Sequence, residues 1–406
     1  MKLEARIAWR SIWRQPRRSA VLMGAVAVAV FTWVGSTAFT DGFGAQMVQS
    51  AVNLQGGHIQ VNAPGYFTNP SLRVRMDTSI VNRIRTVTGQ QAGTHVAGQL
   101  SNTGMANAPA QSAAITVTGV VPAEESLVTT IASNVEEGRY LTDDDDGVLI
   151  GAELADDLGL RLGEKLVIMV NNDETEVSAA AYRIVGLYRS GNAPFDRMHV
   201  FISMGAARAL LGVPNGLTTV TIVLGDDAQT VNTAENLRNA LPEAEVLTWR
   251  ERNPMLEMME EAYDYSALLT AIILFIAVGF ILVNSFLMVI FERIKEFGVM
   301  LAAGTKPAVI RRMLVLEALM TSLMGLAGGL ALSAVLLGFW FRNGLDLSRF
   351  ASGLSEFGMD SVVYPVLDAS HLLPGIALIL VMVVLAVQYP AWRASRFKPV
   401  EAMQHD

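Results

Sequence analysis

The sequence has no cysteine among its 406 residues. Disulfide bonds, thiolate metal sites, thiol catalysis and lipid anchoring on an N-terminal cysteine are therefore excluded. Charge is also scarce, since 17% of the residues are charged and 51% are hydrophobic, whereas soluble domains carry about 25% charged residues. The scarcity of charge favours a membrane protein.

Motifs of several enzyme classes are absent as well. There is no G-x-x-x-x-G-K-[ST] phosphate-binding loop, so any ATP must be hydrolysed by another polypeptide. There is no G-x-S-x-G elbow, although sequence alone leaves a dispersed Ser/His/Asp arrangement open. The run Asp143–Asp146 lacks the EF-hand spacing, and we interpret it as a solvated turn. The histidines lack metal-site spacing. Because all of these motifs are absent, we expect no catalytic residue and no metal site.

Four long apolar segments are present. Residues 20–39 and 267–290 carry no charge at all, and the second reaches about 36 Å as a helix, enough to cross a hydrocarbon core of roughly 30 Å. The first is too long for a signal-peptide core of about 7–15 residues, so we expect it to stay uncleaved. The predicted spans are residues 19–40, 263–291 with a stalk, 313–341 and 371–391.

The basic residues place these segments in the membrane. Residues 1–18, 292–312 and 392–406 hold 14 of the 30 Lys and Arg residues, whereas the short loop 342–370 holds two. Positive charge marks the cytoplasmic side, so we expect both termini in the cytoplasm and residues 41–262 outside it. The arginines of residues 1–18 oppose an apolar face, which predicts an interfacial helix. A nucleic-acid-binding arm is disfavoured because a span follows directly, and we expect no nucleic acid.

The outer segment, residues 41–262, predicts a mixed α and β domain. A lobe at about 122–215 is predicted to be inserted into a unit formed by the flanking residues. Strand-like patterns occur at residues 59–61, 115–121, 148–150, 166–170, 182–188, 200–203, 218–224 and 245–247, and helical patterns at 152–158, 204–211 and 228–241.

A charged elbow, residues 292–312, follows the second span. It contains a short apolar helix that ends at Gly304, and a new helix restarts at Thr305 and Pro307. Further motifs are Glu317-Ala-Leu, Gly325–Gly329 and the C-terminal stretch Tyr389–Ala402. Together with Glu292–Gly304, these motifs resemble the signature of the FtsX/MacB-type permeases of ABC transporters. Asp41-Gly-Phe43, Gly57–Val61 and Val185–Gly191 with Asp196 resemble the LolC/LolE lipoprotein-releasing branch, except that Asp41 and Ser190 stand where Asn and Thr are usual.

The resemblance implies a four-span membrane protein of the bacterial inner membrane with a MacB-like periplasmic core domain. A separate cytoplasmic ATPase dimer, which binds ATP and Mg²⁺, is implied to dock on the elbow. An ordinary cytoplasmic loop is the alternative. The implied coupling residues are Glu292, Arg293, Lys295, Glu296, Phe297, Gly298, Leu301 and Gly304.

Other residues in the spans are candidates for packing or binding. Thr321, Gly325, Gly329 and Ser333 recur every four residues, which predicts close helix packing, with a substrate groove as the alternative. Glu317 is an intramembrane acid that we expect either to pair with a basic residue of the N-terminal helix or elbow, or to snorkel. Substrate contacts are placed at Val34, Phe39, Phe43, Met259 and Leu268.

By resemblance, the chain is predicted to be a permease subunit that extracts lipoproteins from the outer leaflet with ATP hydrolysed elsewhere. The expected partners are a second permease copy or paralogue, membrane lipids, a lipoprotein and a periplasmic carrier. The alternatives are a mechanotransmission permease of a MacB-like efflux system and an FtsX-like regulator of a periplasmic cell-wall hydrolase.

Overall fold

The computed structural model describes residues 2–54, 56–89, 93–109, 111–172, 176–350, 353, 362–367 and 369–394. Parts of the predicted loop 342–370 and tail 392–406, and the end of the motif Tyr389–Ala402, lie outside these residues. The chain divides into two compact units. The helical unit comprises Met1–Ala45, Met259–Leu345 and Val363–Asp406, and the α/β unit comprises Gln46–Met258 and Asp346–Val362.

Three of the long described helices begin with a proline. Pro16, Pro254 and Pro307 each occupy a first turn, where proline costs no hydrogen bond. The helices are α1 Lys2–Arg14, α2 Pro16–Leu54, α3 Ile80–Thr88, α4 Pro122–Val128, α5 Ala152–Leu158, α6 Ala193–Met198, α7 Met204–Leu211, α8 Thr230–Ala240, α9 Trp249–Arg252, α10 Pro254–Glu292, α11 Ile294–Ala302, α12 Pro307–Val335 and α13 Ala369–Ala394.

Among the described residues, four helices are long and apolar enough to cross a membrane: Pro16–Leu54, Pro254–Glu292, Pro307–Phe339 and His371–Ala394. The first two contain 39 residues each, or about 58 Å, so each exceeds a hydrocarbon core of roughly 30 Å. Their packed faces form one apolar core, in which Val30, Trp33, Phe275 and Phe286 are buried. The outward faces are apolar too, as a lipid environment requires.

A short two-stranded sheet pairs Leu345–Asp346 with Val362–Val363. The α/β unit is built on a separate sheet of ten strands. Within the described residues its strands are β1 Ile59–Asn62, β2 His95–Asn107, β3 Ser112–Val120, β4 Val135–Gly138, β5 Gly147–Gly151, β6 Lys165–Asn171, β7 Val177–Tyr188, β8 His199–Ser203, β9 Thr219–Val223 and β10 Glu245–Thr248. Their order is β10-β1-β9-β2-β3-β8-β5-β7-β4, and β6 pairs with β2 and β7. Of the strands of residues 122–215, β8, β5, β7 and β4 thus follow β3 on one side, whereas β6 pairs both with β7 and with β2.

The predicted fold class, four spans with a mixed α and β domain between the first two, is confirmed. The sequence patterns missed α3, α4, α6, α9, β2 and β4. Strand β2 contains Gly98 and Gly104 with several polar residues, a composition that disfavours strands. It forms because β3, β6 and β9 all pair with it, and that pairing is not visible in a local pattern.

Candidate functional site: the charged junction of the helical unit

Helix α11 lies within the predicted elbow, residues 292–312. Helix α10 ends at Glu292, and Arg293 separates it from α11 with a non-helical backbone (φ −106°, ψ 16°). Gly304 follows α11 with φ 85°, a left-handed conformation that glycine adopts without steric cost. Ile294, Phe297 and Gly298 are buried, so one face of α11 is packed against the helical unit while the other is open.

A buried ion pair lies beside this helix. The Arg293 Nη1 atom donates to Glu317 Oε2 at 3.4 Å and to Ser11 Oγ at 2.9 Å, and Ser11 Oγ donates to Glu317 Oε1 at 2.8 Å. The side chains of Arg293 and Glu317 are only 14% and 11% exposed. Burial strengthens such a pair electrostatically, and it makes loss of either partner costly. The three residues join α1, the start of α11 and α12.

Two further carboxylates extend this network. Glu296 accepts from Arg293 Nε and pairs with Arg14 Nη1, both at 2.9 Å. Burial alone raises the pKa of Glu296, but the hydrogen bond and charge of Arg293, together with Arg14, bring it below its usual value. Glu292 Oε2 lies 3.3 Å from Arg18 Nη1, and Arg18 also donates to the Ser285 carbonyl.

We call these residues the charged junction: Ser11, Arg14, Arg18, Glu292, Arg293, Glu296 and Glu317. They connect α1, α2, α10, α11 and α12 through ion pairs and hydrogen bonds. A displacement of α11 therefore changes contacts with α1 and α12 directly, and α2 is tied to the end of α10 through Arg18 and Glu292. These contacts are ion pairs and hydrogen bonds between helices, so the charged junction is a mechanical connection.

The structure separates the predicted coupling residues into three groups. The first group, Glu292, Arg293 and Glu296, belongs to the charged junction. The second, Phe297 and Gly298, lies on the buried face of α11. In the third, Lys295 and Gly304 are exposed and Leu301 is half-buried. Sequence reasoning missed Ser11, Arg14 and Arg18. The spacing of Ser11 and Arg14, which places both side chains on one face of α1, was a signal available for these two residues, whereas Arg18 lies on α2.

The small-residue stripe of α12 faces α2. A Cβ atom added at Gly325 would lie 2.8 Å from the Met23 carbonyl oxygen, and one at Gly329 would lie 2.7 Å from that of Ala27. The hydroxyls of Thr321 and Ser333 donate to carbonyls four residues earlier in α12. The backbones of the two helices are thus in close contact, which only glycine permits.

The residues proposed for substrate contact have different environments. Val34 is buried in the apolar core, and Leu268 is exposed on α10. Phe39 stacks on Phe43, whose ring meets Tyr263 edge-on with centroids 6.0 Å apart. Met259 is half-buried. These residues do not form one pocket among the described residues.

A second polar cluster joins α2, α10 and α13 at the other end of the helical unit. His371 Nδ1 lies 3.1 Å from Asp41, and His371 Nε2 lies 3.3 Å from Asp264 Oδ1. The two carboxylates contact opposite ring nitrogens, so a single metal ion would not reach all three side chains. The imidazole instead bridges two spans through their carboxylates. This contact was not foreseen, because the three residues are far apart in sequence.

The two carboxylates of this bridge are expected to differ in importance. Asp41 is 11% exposed and Asp264 is 57% exposed. We expect His371→Leu to lower the free energy of unfolding by about 1–3 kcal/mol, because it removes a hydrogen-bonding partner of a nearly buried carboxylate. Asp264→Asn removes only an exposed pair and is expected to cost under about 1 kcal/mol. Unfolding in lipid nanodiscs measures both, and equal losses would contradict this interpretation.

Comparison with known proteins places the chain in a family. A model of the MacB-like periplasmic core domain matches residues 19–240, and a model of the FtsX-like permease C-terminal region matches residues 268–399. The periplasmic region of MacB from Actinobacillus actinomycetemcomitans is similar at 13% identity and a TM-score of 0.35, over 50% of this chain and 94% of that one.

Two relatives share more of the length. LolC, the lipoprotein-releasing system transmembrane protein of Xylella fastidiosa (strain 9a5c), is 25% identical over 71% of this chain and 72% of its own. LolC of Neisseria meningitidis serogroup B is 22% identical over 95% of this chain and 94% of its own. Because the MacB-like model covers more than half of the chain and the FtsX-like model covers its C-terminal spans, the protein belongs to the FtsX/MacB family of ABC transporter permeases.

Proposed function

We propose that this permease releases lipoproteins from the outer leaflet of the bacterial inner membrane, using ATP and Mg²⁺ bound by a separate ATPase dimer. The observation that carries the proposal is the charged junction, which ties α11 to four other helices of the helical unit. Extracting an acyl chain costs about 0.8 kcal/mol per CH₂, so release requires a driven motion. The near full-length likeness to proteins named lipoprotein-releasing supports this substrate.

The open face of α11 is the proposed docking surface for the ATPase. Lys295, Val299 and Gly304 are exposed there, and Val299 is 58% exposed although it is apolar. An exposed apolar side chain among charges is typical of the centre of a docking site. Movement of the ATPase would reach the spans through Arg293 and Glu296.

The outer face of α10 is proposed to contact lipids or a second permease copy or paralogue. The exposed residues of this helix include Leu268, Leu269, Ile273, Ile276 and Phe280. They form an apolar surface that requires a lipid or protein neighbour. With both termini in the cytoplasm, as positive-inside counting predicts, the α/β unit is periplasmic and faces the proposed lipoprotein carrier.

A specific contact favours the mechanotransmission alternative. Trp33 of α2 and Phe275 of α10 meet edge-on with ring centroids 5.7 Å apart. This contact closes α2 against α10 within one chain, where an open apolar groove would suit an acyl chain. In a mechanotransmission permease these spans carry motion only, and the substrate stays in the periplasm.

Affinity purification of the tagged protein from native membranes, followed by mass spectrometry, tests the proposal. An ATPase together with acylated lipoproteins would support it. An ATPase with a periplasmic adaptor and an outer-membrane tunnel would favour mechanotransmission, a cell-wall hydrolase would favour the regulator, and absence of any ATPase would overturn the transporter assignment.

The docking surface is tested by a matched pair of valines in the same purification. Val299→Asp places a charge at the centre of the open face of α11, and we expect at least a tenfold loss of the co-purified ATPase. Val231→Asp is the control, since Val231 lies on α8 and is similarly exposed, at 56% against 58%. Equal ATPase recovery from both variants would remove α11 as the docking site.

A further inference from the structure

The α/β unit contains a cavity of about 320 Å³ on the polar face of its sheet. Strand residues alternate between the two faces, and Val61, Leu100, Val117 and Val220 are buried in the core on the opposite face. The cavity floor is formed by neutral hydrogen-bonding side chains of β1, β9, β2 and β3, namely Gln60, Thr219, Gln99, Ser101, Thr116 and Thr118.

Two side chains of opposite charge also line the cavity, Glu125 of α4 and Arg252 of α9, and the titratable His199 of β8 is a further lining residue. Arg252 donates to Gln60 Oε1 at 2.9 Å and to the Gly57 carbonyl at 2.7 Å. Glu125 is 1% exposed and accepts from Gln99 Nε2 at 3.1 Å. Burial raises the pKa of Glu125 to about 7 and lowers that of Arg252 to about 10.

These positions penalise the charged form of both groups, because the surrounding protein removes water from them. A ligand that brings the opposite charge to each group would offset that penalty, since charge-assisted hydrogen bonds are about twice as strong as neutral ones. An anion or a cation alone would satisfy only one of the two. The volume lies at the lower end of the range for small-molecule sites, about 300–1,000 Å³.

We propose that this cavity binds a small zwitterion of the amino-acid class, whose anionic group pairs with Arg252 and whose ammonium group pairs with Glu125. The neutral floor supplies further hydrogen bonds, and Tyr66, Phe67 and Phe195 supply apolar walls. Leu54, the last residue of α2, and Asn253, which precedes α10, also line the cavity. A bound ligand therefore contacts residues at the ends of both long helices, independently of which substrate the permease moves.

Calorimetric titration of the full chain in nanodiscs with each of the twenty amino acids tests the ligand class. We expect at least one to bind, and we expect its N-acetyl and its carboxyamide derivatives each to bind at least tenfold more weakly, because each lacks one charge. Equal binding of either derivative would overturn the zwitterion assignment. Absence of binding by every amino acid at millimolar concentrations would overturn it as well.

Variants then locate the site. Glu125→Gln and Arg252→Met are expected to weaken binding at least tenfold. Glu124→Gln and Arg250→Met are the controls at adjacent positions, since Glu124 pairs with Arg85 at 2.7 Å and Arg250 is exposed. Unchanged affinity in Glu125→Gln would contradict the site. The derivative series on the unmodified chain decides the ligand class even where a variant fails to fold.

The pH dependence gives an independent readout. The Glu125 carboxyl, with a pKa of about 7, holds a proton at pH 6 that must leave before an ammonium group can pair with it. Affinity should therefore rise with pH and level off above about 8, which makes binding at pH 6 about tenfold weaker than at pH 8. Glu125→Gln should abolish this slope, and a slope retained in that variant would contradict the role of Glu125.

Discussion

Replacing Arg293 by alanine is expected to cost about 3–5 kcal/mol of stability, because Glu317 then stays buried without its cationic partner. Glu317→Ala should cost less, because Arg293 keeps its ion pair with Glu296 at 2.9 Å. Both variants are measured by denaturant unfolding in nanodiscs. Arg311→Ala is the control, because Arg311 is an exposed arginine near the start of α12, and it should change stability by under about 0.5 kcal/mol.

The double variant Arg293→Met with Glu317→Leu separates stability from coupling. Apolar side chains of similar size often replace a buried ion pair without loss of stability, so we expect the double variant to fold within about 1 kcal/mol of the natural chain. It lacks the connection between α11 and α12, however. The proposed function then predicts that, with an ATPase bound, substrate release falls more than tenfold, and full release activity would show that the charged junction is only structural.

Replacing Gly329 by valine is expected to separate α12 from α2. The new Cβ would lie 2.7 Å from the backbone oxygen of Ala27 and from Val30 Cβ, and a backbone atom does not yield as a flexible side chain does. Overpacking of this kind costs typically about 1–3 kcal/mol. Gly325→Val should have a similar stability cost, because its Cβ would lie 2.8 Å from the Met23 carbonyl oxygen.

Because the sequence has no cysteine, the separation of α12 from α2 can be measured by disulfide crosslinking between two introduced cysteines. A Cβ at position 328 would lie 3.8 Å from Ala27 Cβ, close to the mean of about 3.8 Å in disulfides. The A27C/G328C pair should therefore oxidise almost completely. Adding Gly329→Val should reduce the crosslink at least tenfold, whereas adding Gly338→Ala, where no atom lies within 4 Å, should leave it unchanged. An undiminished crosslink with Gly329→Val would contradict the close packing.

The spans were predictable because a run of uncharged residues is a local property. The same is true of α5 and α7, whose bounds match their sequence patterns. Strand β2 was missed because its polar, glycine-rich residues depend on three neighbouring strands for their hydrogen bonds. The elbow was predicted from the sequence. The sequence pattern did not show that Phe297 is buried and Val299 exposed, because the exposure of each side chain depends on how α11 is rotated against the spans.

By itself the sequence determined that this is a four-span membrane protein, with a charged elbow after its second span and no nucleotide-binding loop of its own. Hydropathy and charge act over one segment at a time, so they suffice for this. Only the tertiary structure placed Arg293 and Ser11 against Glu317, over separations of 24 and 306 residues, and His371 against Asp41 over 330. Such contacts arise from the packing of whole helices, which no single segment encodes.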